Sequence, residues 1–113
     1  MGDFKFREEK YDEAIDALSM AAKIRPDRPD TYYMLGRALI QKGNRGPAET
    51  ALRKAIQLKP TWGEPHYLLA KLYAKQPGFP ELAQYHYNKA LAGGMPRNLE
   101  LENLIKKPAA ANK

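Results

Sequence analysis

Residues 32–39 read YYMLGRAL, and residues 66–73, which lie 34 positions later, read HYLLAKLY. In each stretch a ring-bearing residue is followed three positions later by Leu, and that Leu by a small residue, Gly36 or Ala70. A repeat of fixed length is typical of a solenoid, in which each unit buries its apolar face only against its neighbours. The sequence therefore predicts stacked copies of one structural unit.

The same spacing relates residues over a longer part of the chain. Five further pairs follow it: Gly2 and Gly36, Ala14 and Ala48, Leu18 and Leu52, Ala21 and Ala55, and Pro26 and Pro60. A solenoid presents an extended surface rather than an enclosed pocket. The period therefore favours binding over catalysis.

Apolar residues recur at three- and four-residue spacings in six segments, as amphipathic helices require. Five of the predicted helices run over 11–24, 30–42, 46–60, 81–92 and 98–107. The remaining helix, the fourth along the chain, begins at a predicted capping box over 61–64 and ends at a turn over 76–80. Gly43 and the Gly93-Gly94 pair are expected to end helices. Asn98 is expected to cap the last one.

Three sets of residues resemble the pattern of the tetratricopeptide repeat (TPR). They are Ala14-x3-Leu18 with Pro26; Tyr32-x2-Leu35-Gly36-x2-Leu39 with Ala48-x3-Leu52 and Pro60; and His66-x2-Leu69-Ala70-x2-Tyr73 with Ala83-x3-Tyr87 and Pro96. The resemblance covers residues 2–96. It implies an all-α fold, an α-solenoid of antiparallel helix hairpins, with a C-terminal capping helix.

On this resemblance, one TPR-like domain is expected over residues 1–107. Its predicted parts are a partial repeat over about 2–28, repeats over 29–62 and 63–96, and a capping helix over 97–107, with a tail over 108–113. Leu101, Leu104 and Ile105 are expected to face the last repeat, because the end of a solenoid exposes apolar surface unless it is capped.

The first repeat is interpreted as incomplete. Gly2 matches the small residue inside the first helix of a pair, so we expect a truncated helix before Tyr11 and a chain that is a fragment of a larger protein. Apolar surface at Phe4, Phe6, Ile15 and Leu18 is then expected to be incompletely covered. Such a patch favours self-association or the docking of a neighbouring segment.

In TPR proteins the first helix of each pair lines the concave face, where extended peptides commonly lie. Carried over to this sequence, the resemblance implies a peptide-binding set: Phe6, Arg7, Tyr33, Arg37, Ile40, Gln41, Tyr67, Lys71, Ala74 and Lys75. Tyr33 and Tyr67 are one repeat apart, and a cation follows each at i+4, on the same helix face. Rings beside cations suit a ligand with carboxylates and apolar side chains. Alternatively, these are ordinary exposed residues whose rings cover the Arg and Lys stems.

The two histidines lie on different predicted helices of one repeat. His66 stands where the family often has Trp, and we expect it to be a packing residue rather than a ligand or base. His86 is expected to face outward beside Tyr85 and to be solvated.

Composition excludes several classes of function. The net charge of +6 favours acidic partners, although Asp and Glu are interspersed with the basic residues, as on a solvated surface. The chain has no Cys, which removes disulfides, thiolate metal sites and thiol nucleophiles. No apolar run approaches the ~18 residues that span a bilayer, and no nucleotide-binding, zinc-protease or hydrolase motif is present. The sequence thus indicates no enzyme, no cofactor and no metal.

The leading interpretation is a protein–protein interaction module or scaffold that binds an extended peptide or helix, with an acidic protein or peptide partner favoured. One alternative is a purely structural spacer within a larger protein. Another is a basic, nucleic-acid-binding helical repeat. Charge alone suggests that class, and it is disfavoured because the basic residues are scattered along the chain.

Overall fold

The structure is a computed structural model that describes residues 2–76 and 79–106, with side chains from Lys10 onward. Over these ranges every regular element is a helix, so the predicted all-α class is confirmed. The elements are α1 (Gly2–Ile24), α2 (Pro29–Lys42), α3 (Arg45–Leu58), α4 (Gly63–Ala74), α5 (Pro80–Ala92) and α6 (Leu99–Lys106). The predicted tail at 108–113 lies outside the described residues.

The chain forms two compact units, Met1–Pro60 and Thr61–Lys113. In the first unit α2 packs against both α1 and α3, and Lys42 of α2 bonds Asp12 of α1 with an N–O distance of 3.1 Å. In the second unit α4 packs against α5, and α6 contacts both of them. Each unit thus contains one helix hairpin, α2–α3 or α4–α5, with a third helix beside it.

Small residues allow the two helices of each hairpin to approach closely. In the first hairpin a Cβ atom added at Gly36 would lie 2.8 Å from the Cγ and Cδ2 atoms of Leu52. Ala48 and Leu52 opposite it are fully buried, with 0% exposure. Ala70 and Ala83 are likewise fully buried in the second hairpin. The repeated small residues are therefore the positions at which the helices cross.

Helix ends follow the predicted signals at two places. Gly43 has a φ of 88°, a left-handed conformation that favours glycine, and its N–H donates to the Ile40 carbonyl at 2.9 Å. Asn98 accepts a hydrogen bond from the Leu101 N–H at its Oδ1 atom, 3.0 Å away, as a helix cap does. Both predictions are confirmed.

The N-terminal region differs from the prediction. Residues 2–24 form one continuous helix, so the expected separate, truncated helix before Tyr11 was wrong. The turn between α2 and α3 depends on Gly43, and the residue one repeat earlier is Glu9. Because Glu does not favour the left-handed conformation, the sequence supplies no break there and the helix continues.

The predicted capping box at 61–64 was also wrong. Helix α4 begins at Gly63, so its N-cap is Trp62 rather than Thr61, and this N-cap side chain makes no capping hydrogen bond. A Cβ atom at Gly63 would lie 2.8 Å from the Ala90 carbonyl oxygen of α5. Backbone packing between α4 and the end of α5 therefore sets where α4 starts, and this contact is not visible in the local sequence.

Helix α6 buries one side of itself in the second unit. Leu101 and Ile105 are buried, as expected, whereas Leu104 is 43% exposed, so the prediction for Leu104 was wrong. Residues 101 and 105 are four apart and share a helix face. An eight-residue helix that presents this stripe turns Leu104 away from the unit.

Candidate functional site

Two Tyr–cation pairs form at equivalent positions of the two hairpins. On α2 the Cζ atom of Arg37 lies 5.8 Å from the ring centroid of Tyr33, and on α4 the Nζ atom of Lys71 lies 5.5 Å from that of Tyr67. Both tyrosines are half-buried and both cations are exposed. A cation over an aromatic face at this distance is attracted to the ring, by ~0.5–1 kcal/mol at exposed sites.

The remaining predicted site residues divide into three groups. Gln41 and Lys75 are exposed, and Ile40 is half-buried, so all three offer contact surface. Ala74 is buried, with 8% exposure, so its side chain offers little contact surface and its inclusion was wrong. Phe6 and Arg7 lie on α1, and their side chains are outside the described residues.

Tyr67 has a second role that the sequence did not reveal. The Nδ2 group of Asn98 donates a hydrogen bond to the Tyr67 hydroxyl, 2.5 Å away, while its Oδ1 atom caps α6. The same tyrosine therefore presents its ring to Lys71 and holds the start of α6. Any variant that removes Tyr67 disturbs both.

A hydrogen-bonded network lies beside this contact. The hydroxyl of Tyr87 donates to Oε2 of Glu102 and accepts from the Asn98 N–H, while Arg97 donates to both carboxylate oxygens of Glu102, at 2.8 and 2.9 Å. The hydrogen bonds from Arg97 and then Tyr87 lower the pKa of Glu102 from 4.5 to about 2. Burial, and then the bond to Glu102, raise the pKa of Tyr87. The network therefore holds α6 in place through the carboxylate of Glu102, which stays ionised.

The two histidines form a pair, contrary to the expectation that His86 is solvated. Both rings are buried, and their Nδ1 atoms lie 3.0 Å apart. One ring therefore donates an N–H and the other accepts it, which requires different tautomers at these atoms. His86 falls on the stripe of Ala83 and Ala90, so helical periodicity along α5 could have revealed its burial. Its ring also stacks on Tyr73, with centroids 5.7 Å apart.

A third Tyr–cation pair lies outside the predicted site. On α5 the Nζ atom of Lys89 is 5.7 Å from the ring centroid of Tyr85, and both residues are exposed. This pair has no counterpart one repeat earlier, where Thr50 and Lys54 stand. It shows that the pairing geometry arises without repetition, and it provides a matched control for the pairs on α2 and α4.

The first unit also contains an apolar groove of about 570 Å³ that the sequence did not indicate. It lies between α1 and α3 over one side of α2. Its lining residues are Ile15, Ser19, Tyr32, Leu35, Leu39, Pro47, Thr50, Ala51 and Lys54.

Within residues 2–76 and 79–106, no helix is long and apolar enough to cross a membrane. Across the same part of the chain, no three His, Asp or Glu side chains lie together as metal ligands would.

The helix hairpins, their small crossing residues and the exposed face of each first helix define a helical-repeat protein of the class that mediates protein–protein interaction. Comparison with known families agrees. The tetratricopeptide repeat family model matches residues 5–72, and the chain belongs to this family. Members of the family are generally interaction modules rather than enzymes.

Relatives with established names share the repeat region. The chain is 37% identical over 70 residues to the type IV pilus assembly protein PilF of Pseudomonas aeruginosa, which covers 62% of this chain and 27% of PilF. It is 34% and 35% identical, over 70 and 69 residues, to the peroxisomal targeting signal receptors of Eremothecium gossypii and Candida albicans. These matches cover 62% and 61% of this chain and 12% of each receptor. The chain therefore spans about a quarter or less of each relative.

Proposed function

We propose that the chain binds an extended, acidic and partly aromatic peptide through the Tyr–cation pairs of α2 and α4. The observation that supports this most is their repetition. Tyr33 with Arg37 and Tyr67 with Lys71 are 34 residues apart in sequence, and each pair forms in its own unit with its cation exposed.

The chemistry of the pairs sets the ligand class. Exposed Arg37 and Lys71 attract carboxylates, and Arg can hold one in a bidentate manner. The half-buried rings of Tyr33 and Tyr67 offer apolar contact at a low cost in side-chain entropy. A peptide that alternates acidic and apolar or aromatic side chains therefore matches both groups.

The names of the relatives are compatible with the binding of another protein. Two are receptors for a targeting signal, and one is an assembly protein. We propose that the shared repeats serve the same general purpose here, namely the binding of another protein. We further propose that this chain has no catalytic activity, because the groups that it exposes suit recognition and not bond cleavage.

The test begins with the selection, from a displayed library of random peptides, of those that bind the wild-type chain. Their binding kinetics are then measured at low and high salt with two double variants, Arg37→Glu with Lys71→Glu, and Tyr33→Ala with Tyr67→Ala. The charge reversal should slow association, most strongly at low salt. Loss of the rings should speed dissociation.

Matched controls separate the site from general effects. Lys89→Glu and Tyr85→Ala alter the third pair, on α5, and should leave both rates unchanged. Tyr67→Phe removes the hydroxyl that bonds Asn98 but keeps the ring. The peptides should therefore dissociate from this variant at the same rate as from the wild-type chain. If neither double variant changes the kinetics, the peptides bind elsewhere. If no peptide is selected, the chain acts as a spacer.

A further inference from the structure

Helix α6 repeats the burial pattern of α4. Positions of α4 and α6 that correspond to each other lie 35 apart in sequence, one more than the period of 34 that relates α2 to α4. His66 and Ala70 of α4 are buried, and so are Leu101 and Ile105 of α6, which stand 35 positions later. The two helices therefore bury the same face.

The neighbouring face of α6 then corresponds to the face of α4 that carries a Tyr–cation pair. Glu102 stands 35 positions after Tyr67, and both side chains are half-buried. Lys106 stands 35 positions after Lys71, and both are exposed. The two helices are in contact, and the Nδ2 group of Asn98 donates to the Tyr67 hydroxyl beside α6. Lys106 therefore occupies on α6 the position that Lys71 occupies on α4.

The exposure of Lys106 is a property of this position. Lys71 is exposed although α5 and α6 both contact α4. Arg37 is likewise exposed on α2, which α1 and α3 both contact. A cation at this position therefore stays accessible on a helix that has neighbours.

The carboxylate one turn before Lys106 does not form a salt bridge with it. Glu102 and Lys106 have the i, i+4 order that favours an ion pair within a helix. Arg97 instead donates to both carboxylate oxygens of Glu102, at 2.8 and 2.9 Å, and Tyr87 donates to one of them. Among residues 2–76 and 79–106, Lys106 makes no salt bridge. Its ammonium group is therefore available to a ligand.

We propose that Lys106 of α6 is a further cation of the peptide-binding site and takes an acidic side chain of the same extended peptide. This inference rests on the proposed function, because its ligand is the peptide that Tyr67 and Lys71 would bind. On α6 the charged Glu102, held by Arg97, stands in place of an aromatic ring. This end of the site therefore selects for charge and not for aromatic contact.

The packing of the helices sets the spacing of the acidic side chains in the ligand. Helices in contact lie about 8–10 Å apart, and an extended peptide advances ~3.3 Å per residue. Carboxylates about two or three residues apart therefore reach Lys71 and Lys106 together. We expect the selected peptides to contain an acidic pair with this spacing.

The probes are the peptides selected on the wild-type chain, and their Kd is measured by fluorescence anisotropy at low salt. Lys106→Glu should raise the Kd at least ~5-fold, because it replaces an attraction by a repulsion. Lys106→Gln is a milder variant with the same expected direction. Lys89→Glu on α5 makes the same change in net charge and should alter the Kd by less than ~2-fold. Circular dichroism shows that each variant is folded.

An exchange of charges locates the contact. Each acidic residue of a selected peptide is replaced in turn by Lys, and every altered peptide is measured on the wild-type chain and on Lys106→Glu. One altered peptide should bind Lys106→Glu at least ~5-fold more tightly than it binds the wild-type chain, because the ion pair is restored with reversed signs. A second position, about two or three residues away, should show the same exchange with Lys71→Glu.

Two results would overturn this proposal alone. The first is a Kd for folded Lys106→Glu and Lys106→Gln that matches the Lys89→Glu control, while Lys71→Glu weakens binding. The second is a loss of affinity in Lys106→Glu that no charge-reversed peptide restores, since the effect of Lys106 would then be indirect.

A different result would overturn the proposed function as well. If no peptide is selected, or if the double variants of the Tyr–cation pairs bind like the wild-type chain, there is no peptide at these pairs for Lys106 to contact. The two failures are therefore distinguished by the response to Lys71→Glu.

Discussion

The first and second units each contain one helix hairpin, but the third helix serves them differently. In the second unit α6 places Leu101 and Ile105 against α4 and α5 and is held by hydrogen bonds to Tyr67 and Tyr87. In the first unit α1 packs on α2, and Ala14 and Leu18 of α1 are only half-buried. The comparison teaches that one repeat position is fully buried or partly exposed according to the helix that lies against it.

The largest expected effect comes from removing α6. A chain that ends at Arg97 loses the burial of Leu101 and Ile105, at ~1.5–3 kcal/mol each. We expect the free energy of unfolding to fall by ~3–6 kcal/mol, measured by urea denaturation followed by circular dichroism. A chain that ends at Lys106 is the control and should match the full chain. Equal stability of the two truncated chains would show that α6 does not close the second unit.

Equivalent leucines provide the next test. Leu52→Ala removes a fully buried side chain and should cost ~2–5 kcal/mol. Leu18→Ala, at the same repeat position on α1, should cost less than half as much, because its side chain is already in partial contact with water. The same urea denaturation measures both. Equal losses would mean that a helix covers Leu18 after all.

Substitutions at two glycines distinguish the effect of packing on stability from the effect of helix propensity. Gly36→Ala places a Cβ atom 2.8 Å from Leu52 and should destabilise the first unit by ~1–3 kcal/mol. Gly46→Ala lies in α3, where no atom beyond the chain neighbours lies within 4 Å of the added Cβ. It should change stability by no more than ~1 kcal/mol, because the better helix propensity of Ala is opposed by the clash of its Cβ with the following Pro47. Thermal denaturation compares the two. Similar shifts in Tm would contradict the close crossing at Gly36.

The smallest expected effect concerns pH. The folded pKa of Glu102 is lowered from 4.5 to about 2, so its contribution to stability is present above pH 4.5 and is lost as the pH falls through about 2. Glu102→Gln should therefore be less stable than the wild type at pH 7. It should also lose less stability between pH 4.5 and about 2. Urea midpoints across this range are the measurement, and parallel curves for the two proteins would exclude the linkage.

The local sequence predicted those features that depend on neighbouring residues. The turn at Gly43 and the cap at Asn98 each depend on a few adjacent positions, and both were predicted correctly. The Tyr33–Arg37 and Tyr67–Lys71 pairs were predicted from their i, i+4 spacing, and both are formed.

Features that depend on distant residues were missed. The His66–His86 contact joins residues 20 apart, and the bond between Tyr67 and Asn98 joins residues 31 apart. Neither contact can be predicted from residues that are three or four positions apart along a helix. The continuity of α1 was missed for another reason, since the family register predicted a turn at a position where Glu9 replaces the required glycine.

The most direct test of the comparison is the reactivity of one introduced thiol at each of the two leucine positions. The chain has no Cys of its own, so Leu18→Cys and Leu52→Cys each give a single reporter. We predict that the thiol at position 18 reacts with an aromatic disulfide in the folded chain at least ~10-fold faster than the thiol at position 52, because only the former is reached without unfolding. Equal rates, corrected for the stability of each variant, would contradict the difference in exposure between Leu18 of α1 and Leu52 of α3.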